Sequence, residues 1–196
     1  EQVLKTTFSE LQIASEASAF DNVLHLYKPL IYIGKTYENL IKVSPVALDQ
    51  SEKQFLDDLF SYVSKNPEKL KGKEVHVLRN QSRKAIGFFT DGNNFYPDFI
   101  LWVVEKDKQY IKFIDPKGIR NSRGMNDPKI QFHKVIKEKI QPQVSNQGII
   151  LDSYIISNTS FLDVNWKDSY RIHDFNAENV FFQKDNAETY IASILN

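Results

Sequence analysis

The chain has 196 residues, 25 of them basic and 25 acidic, four His, one Met and no Cys, so its formal charge is zero. One domain is the length expectation, and 41% hydrophobic with 13% aromatic residues describes a packed globular protein rather than a disordered chain. Disulfides, thiolate metal sites and thiol nucleophiles are excluded, and the four histidines at 25, 76, 133 and 173 lack the spacing of a zinc site.

In chain order, the pattern predicts a helix over 10–26 and a short strand over 30–33, ended by Gly34. From Asp49, the residues Phe55, Leu56, Leu59, Phe60 and Val63 recur at helical spacing, predicting an amphipathic helix of about four turns. Strands are expected over 74–78, 85–90, 99–104 and 110–115, with turn residues between them. Asn126-Asp127-Pro128 reads as a helix start, with Phe132, Ile136 and Ile140 as the apolar stripe of a helix reaching 140. A strand over 149–157 and a closing helix over 187–195 complete the order. This is an α/β (α+β) domain whose mixed β-sheet is flanked by helices. The longest apolar run, 99–104, is far below the roughly 18 residues of a membrane helix, so a cytoplasmic protein with no membrane partner is expected. The chain opens on Glu1 without an initiator Met and is expected to be a piece of a longer polypeptide.

Zero net charge argues against a nucleic-acid partner only as an average. Residues 1–62 hold five basic and nine acidic side chains, 63–139 hold seventeen and nine, and 140–196 hold three and seven. The chain is therefore a segment at +8 between two flanks at −4, and such a stripe can meet phosphates.

Inside the basic segment lie Tyr96-Pro97-Asp98 and Asp115-Pro116-Lys117-Gly118. Asp98 and Asp115 are equidistant from a centre between Lys106 and Asp107, so a hairpin with an even-numbered loop there sets them opposite each other. Two facing carboxylates repel, and a cation between them turns that repulsion into a binding site. Lys117, two residues on, shares a strand face with Asp115 and can neutralise charge on a phosphate. The competing reading makes Asp-Pro-Lys-Gly a type I turn, as proline fits badly in a central strand. Glu52 falls on the apolar face of its helix and can reach the same site, or serve in a capping box with Asp49. Arg79, Arg83, Lys84, Arg120 and Arg123 are candidate DNA-backbone contacts. Lys129, Lys134 and Lys137 add charge that also fits a solvated helix face, and His133 reads as structural.

Glu52, Pro97-Asp98 and Asp115-x-Lys117, in this order, resemble the PD-(D/E)XK nuclease superfamily. Leu78-Arg79-Asn80-Gln81-Ser82-Arg83, 95–102 and 113–118 are similar to the nuclease domain at the C-terminal end of type III restriction-enzyme subunits and related DEAD/DEAH-box helicase-nucleases. The similarity runs from about residue 25 to 157 and includes 44–49. It implies a restriction-endonuclease-like core and a metal-dependent endodeoxyribonuclease, part of a restriction or anti-phage system. Glu52, Asp98 and Asp115 would hold Mg²⁺, with Mn²⁺ as a substitute, and Lys117 would be the catalytic lysine. The implied partners are DNA, an ATP-driven helicase module of the same parent chain and a methyltransferase or specificity subunit. The chain departs from the commonest pattern in having Asp at 115 and Pro at 116. The alternative is a nuclease-fold docking module that binds DNA without cleaving it.

Overall fold

A computed structural model of the chain describes residues 17–19, 26–27, 30–35, 46–80, 86–90, 93–144, 147–185 and 187–196. The most apolar run forms strand β7 (Phe99–Glu105), and β8 (Lys108–Lys117) returns beside it. Around this hairpin a six-stranded mixed sheet is laid out. β4 (Lys73–Arg79) pairs antiparallel with β7, and β2 (Leu26–Tyr27) pairs parallel with β4. On the other side β9 (Ile149–Ser157) lies parallel to β8, and β10 (Val180–Phe182) parallel to β9. Two small antiparallel pairs stand apart from it, β1 (Ala17–Ala19) with β3 (Ile31–Ile33), and β5 (Phe88–Thr90) with β6 (Asn93–Phe95). The mixed sheet flanked by helices agrees with the sequence expectation.

Alternation along the strands sends side chains to two cores. Val75, Val77, Phe99, Leu101, Val103 and Ile114 face helix α1 (Gln50–Lys65) and the C-terminal helix, with the Phe55 ring tilted against Phe99 at 5.2 Å between centroids. Ile100 and Phe113 face the opposite way, onto Phe132 and Ile136. That second face is covered by α2 (Phe132–Val135), a π-helical turn (Ile136–Ile140) and α3 (Gln141–Val144). A third core under β10 gathers Ile119, Ile155, Val180 and Phe182 around Phe175 of α4 (Ile172–Ala177). The C-terminal helix α5 (Ala187–Leu195) is tied to α1 by the Tyr190 hydroxyl, which donates to Asp58 at 2.5 Å.

Three expectations change. Ala17–Ala19, placed in a helix over 10–26, is a strand edge on Ile31–Ile33, while 10–16 and 20–25 lie outside the described residues. The helix expected from 126 begins at Phe132, because Asn126–Gln131 close into turns. In them Asp127 accepts the amides of Lys129 on its side chain and of Gln131 on its carbonyl, each at 3.0 Å. Asp115-Pro116-Lys117 continues β8 and pairs with Ile155-Ile156-Ser157, so it is not a turn. Pairing with β7 stops at Phe99 and Ile114, so Pro116 occupies a local edge where a missing N–H is tolerated.

Lys112 is buried in β8, its ammonium donating to the Ile194 carbonyl near the end of α5. Burial, outweighing nearby Asp152, lowers its pKa to about 8. Between about pH 8 and the ordinary 10.5, the unfolded chain then holds a proton that the folded chain lacks, so Lys112 makes stability rise with pH across that window. Denaturant midpoints measured from pH 7.5 to 10.5 should show this rise in the wild type and a flatter curve in Lys112→Met. Identical slopes in the two proteins would exclude it.

Candidate active site

Only Lys106 and Asp107 join β7 to β8, Lys106 taking a positive φ of 55°. The ladder runs from Glu105 opposite Lys108 to Phe99 opposite Ile114, and just beyond its last pair the Asp98 and Asp115 side chains come within hydrogen-bonding reach of each other. Alternation along β8 puts Asp115 on the face of Phe113. Burial foremost, then the charge and hydrogen bond of Asp115, with smaller contributions from Glu52 and Asp49, push the Asp98 carboxyl up to about 8.

Asp115 is 4% exposed, and its Oδ2 is buried without a hydrogen-bond partner. Two ammonium groups flank that oxygen, Lys117 Nζ at 3.5 Å and Lys129 Nζ at 3.6 Å. Burial lowers the pKa of Lys117, overcoming the opposing pull of Asp115. Asn80, buried behind the pair, fixes the approach to Asp98. Its side-chain amide donates to the Pro97 and Ile86 carbonyls at 2.8 and 2.7 Å, and its backbone N–H donates to the Asp98 carbonyl at 2.7 Å.

Glu52 stands on α1, which covers the opposite face of the sheet, and it is committed elsewhere. Asp49 and Glu52 form a reciprocal capping box, Asp49 N–H donating to Glu52 Oε2 at 2.7 Å and Glu52 N–H to Asp49 Oδ1 at 2.8 Å. Arg79 grips the same carboxylate at 2.8 Å and 3.2 Å and also donates to the carbonyls of Val46 and Ala47. Burial raises the Glu52 pKa against the pull of Arg79. The structure therefore brings together Asp98, Asp115 and Lys117, while Glu52 is turned to Arg79. Among the described residues, no three His, Asp or Glu side chains are grouped to hold a metal by themselves. Arg79, expected at the DNA backbone, faces inward with 14% of its side chain exposed.

Arg83 and Lys84 lie outside the described residues. Arg120 and Arg123 line a cavity of about 500 Å³ together with Lys117, Lys129, Asp127 and Phe95. His133 is structural, 4% exposed with Nε2 2.9 Å from Glu178 Oε2. Two residues take roles at the site that the sequence alone did not assign to them. Asn80 had a signal, an amide next to a strand end, but nothing local named Ile86, Pro97 and Asp98 as its partners. Lys129 looked like one of several solvated helix lysines, and only the turn at Asp127 aims it at Asp115.

No family model matches the chain. It is 37% identical over 71 residues to an uncharacterized protein of Haemophilus influenzae, which covers 31% of this chain and 15% of that protein. The crystal structure of protein VC1899 from Vibrio cholerae aligns over 98% of this chain and 42% of its own, at a TM-score of 0.37 and 11% identity. At that level the likeness carries no argument about fold or function. The matches span less than half the length of either relative. Among the described residues, no helix is long and apolar enough to cross a membrane.

Proposed function

We propose that the chain is a Mg²⁺-dependent endodeoxyribonuclease domain that hydrolyses DNA phosphodiester bonds. One observation carries this reading: the Asp98 and Asp115 pair, in which a buried Asp115 oxygen makes no hydrogen bond and is ion-paired only to Lys117 and Lys129, two residues that line a cationic cavity. Two carboxyl groups buried side by side with such loose ion pairs are costly, and a divalent cation is a partner that suits them. Mg²⁺ takes one or two protein carboxylates and completes its shell with water and phosphate oxygens, and Mn²⁺ accepts the same donors. When bound, the ion supplies polarisation of the phosphodiester and a water of lowered pKa.

Asp98 and Asp115 would hold the ion. Lys117 holds its ammonium 3.5 Å from Asp115 Oδ2, where it would stabilise the attacking hydroxide or neutralise charge on the phosphate. Arg120 and Arg123 meet backbone phosphates in the cavity without reading sequence. Glu52 keeps the start of α1 in place through Arg79. As the nuclease module of a helicase-nuclease in a restriction or anti-phage system, the domain would receive DNA from an ATP-driven motor in the same chain. A methyltransferase or specificity subunit would choose the site.

The commitment of Glu52 to Arg79 favours a second reading, a docking module that holds DNA and cleaves nothing. Supercoiled-plasmid nicking separates the two. Nicked circles should appear with Mg²⁺ or Mn²⁺ and disappear in excess chelator. Nicking that persists in chelator would sink the metal mechanism, and DNA retardation without nicking in either metal would establish the docking module.

A further inference from the structure

Lys117 and Lys129 lie at nearly equal distances from Asp115 Oδ2, and neither hydrogen-bonds it. They are held differently. Lys117 ends β8 with 26% of its side chain exposed, whereas Lys129 stands on the turn before α2 with 44% exposed, its ammonium 5.8 Å from the Phe95 ring centroid. Lys129 N–H donates to Asp127 Oδ1 at 3.0 Å, and Arg123 N–H donates to Asp127 Oδ2 at 3.3 Å. One carboxylate thus ties the root of Lys129 to the loop that presents Arg123 to the cavity. From that root a flexible four-carbon stem has Asp115 on one side and the cavity of about 500 Å³ on the other.

We infer that Lys129 is a substrate-binding residue: its ammonium exchanges Asp115 Oδ2 for an oxygen of a nucleic-acid phosphodiester seated in the cavity, leaving Asp115 to Lys117. The identity of the ligand rests on the nuclease reading above. The exchange does not strand the buried Asp115 carboxylate, because Lys117 remains beside it, and Lys129 is the more exposed of the two and makes no hydrogen bond to it. A phosphate oxygen beside Arg120 and Arg123 offers the ammonium a charge-assisted hydrogen bond that Asp115 does not give it.

The test is the salt dependence of binding of a short DNA duplex to the full chain in chelator, followed by fluorescence anisotropy. Lys129→Met should weaken binding and make the slope of log affinity against log salt shallower by about 0.9, the share of one phosphate contact on duplex DNA. Lys129→Arg should restore both. Lys65→Met, which removes an exposed charge at the end of α1, should change neither. A Lys129→Met slope equal to that of the wild type, or a wild type without salt-dependent binding, overturns the assignment. With metal present, the loss in Lys129→Met should lie in KM, and a loss confined to kcat also overturns it. Binding that responds to Lys129 in a wild type that cleaves nothing with either Mg²⁺ or Mn²⁺ would remove the nuclease reading and leave the Lys129 subsite standing.

Discussion

Asp98→Asn should abolish plasmid nicking while making the metal-free protein harder to unfold. The loss of activity should reach two orders of magnitude or more, since even the outer partners of a metal ligand are worth about 10–100-fold. The gain in stability follows from what Asp98 faces. Burial and the Asp115 charge hold its carboxyl at about 8, far above its ordinary 3.8. Between those values the folded chain retains a proton that the unfolded chain has released, so in chelator stability falls as pH rises from about 4 to about 8. Asparagine has no charge to repel Asp115 and removes this slope. At this chain length each 1 kcal/mol gained moves Tm by roughly 2–4 °C, so the difference between the two proteins should be plain at pH 8 and small at pH 4. A Tm that is unchanged or lowered at pH 8 would show that Asp98 and Asp115 are not repelling each other.

The second large effect is expected at Arg79. Its guanidinium holds the buried Glu52 carboxylate and two carbonyls that lead into α1. In Arg79→Met the Glu52 charge is left buried without its partner, and such breaks cost about 3 kcal/mol. Glu52→Gln in the same chain should recover much of that loss, because the stranded charge disappears. Denaturant midpoints of the two single variants and the double variant measure the coupling. If Arg79 instead served as an outward phosphate contact, the single variant would keep its stability and lose DNA affinity. A coupling near zero would therefore reject the positioning role.

Much of the hairpin was legible in the sequence because its information is local. An apolar run, two residues that fit a tight loop and a matching run fix the register as far as Phe99 and Ile114, and with it the approach of Asp98 to Asp115 just beyond. The α1 amphipathic pattern and its capping box are likewise contained within a few residues. What could not be read depends on distant partners. Glu52 fits either a metal or a cap until Arg79, 27 positions later, is seen gripping it. The strand at Ala17–Ala19 owes its form to pairing with Ile31–Ile33, against a local pattern that suggested a helix. Pro116 argued for a turn because the ending of the β7 ladder at Ile114 is invisible in the chain's own order.

The two-residue link at Lys106 and Asp107 has a consequence at the other end of the strands. Asp98 lies seven residues from Glu105, roughly 24 Å along the strand at the usual rise. On the far side of the link, Gly148 holds a φ of +68°, and a Cβ there would come within 2.5 Å of the Asp107 carbonyl, so the corner is packed as well as short. The corner thus behaves as the fixed end of a ruler whose other end is the carboxylate pair. A single residue inserted into one strand between the corner and that pair would slide one aspartate past the other and send it to the opposite face. Chains that preserve this chemistry can change the length of the hairpin only by adding or removing residues in matched numbers on both strands.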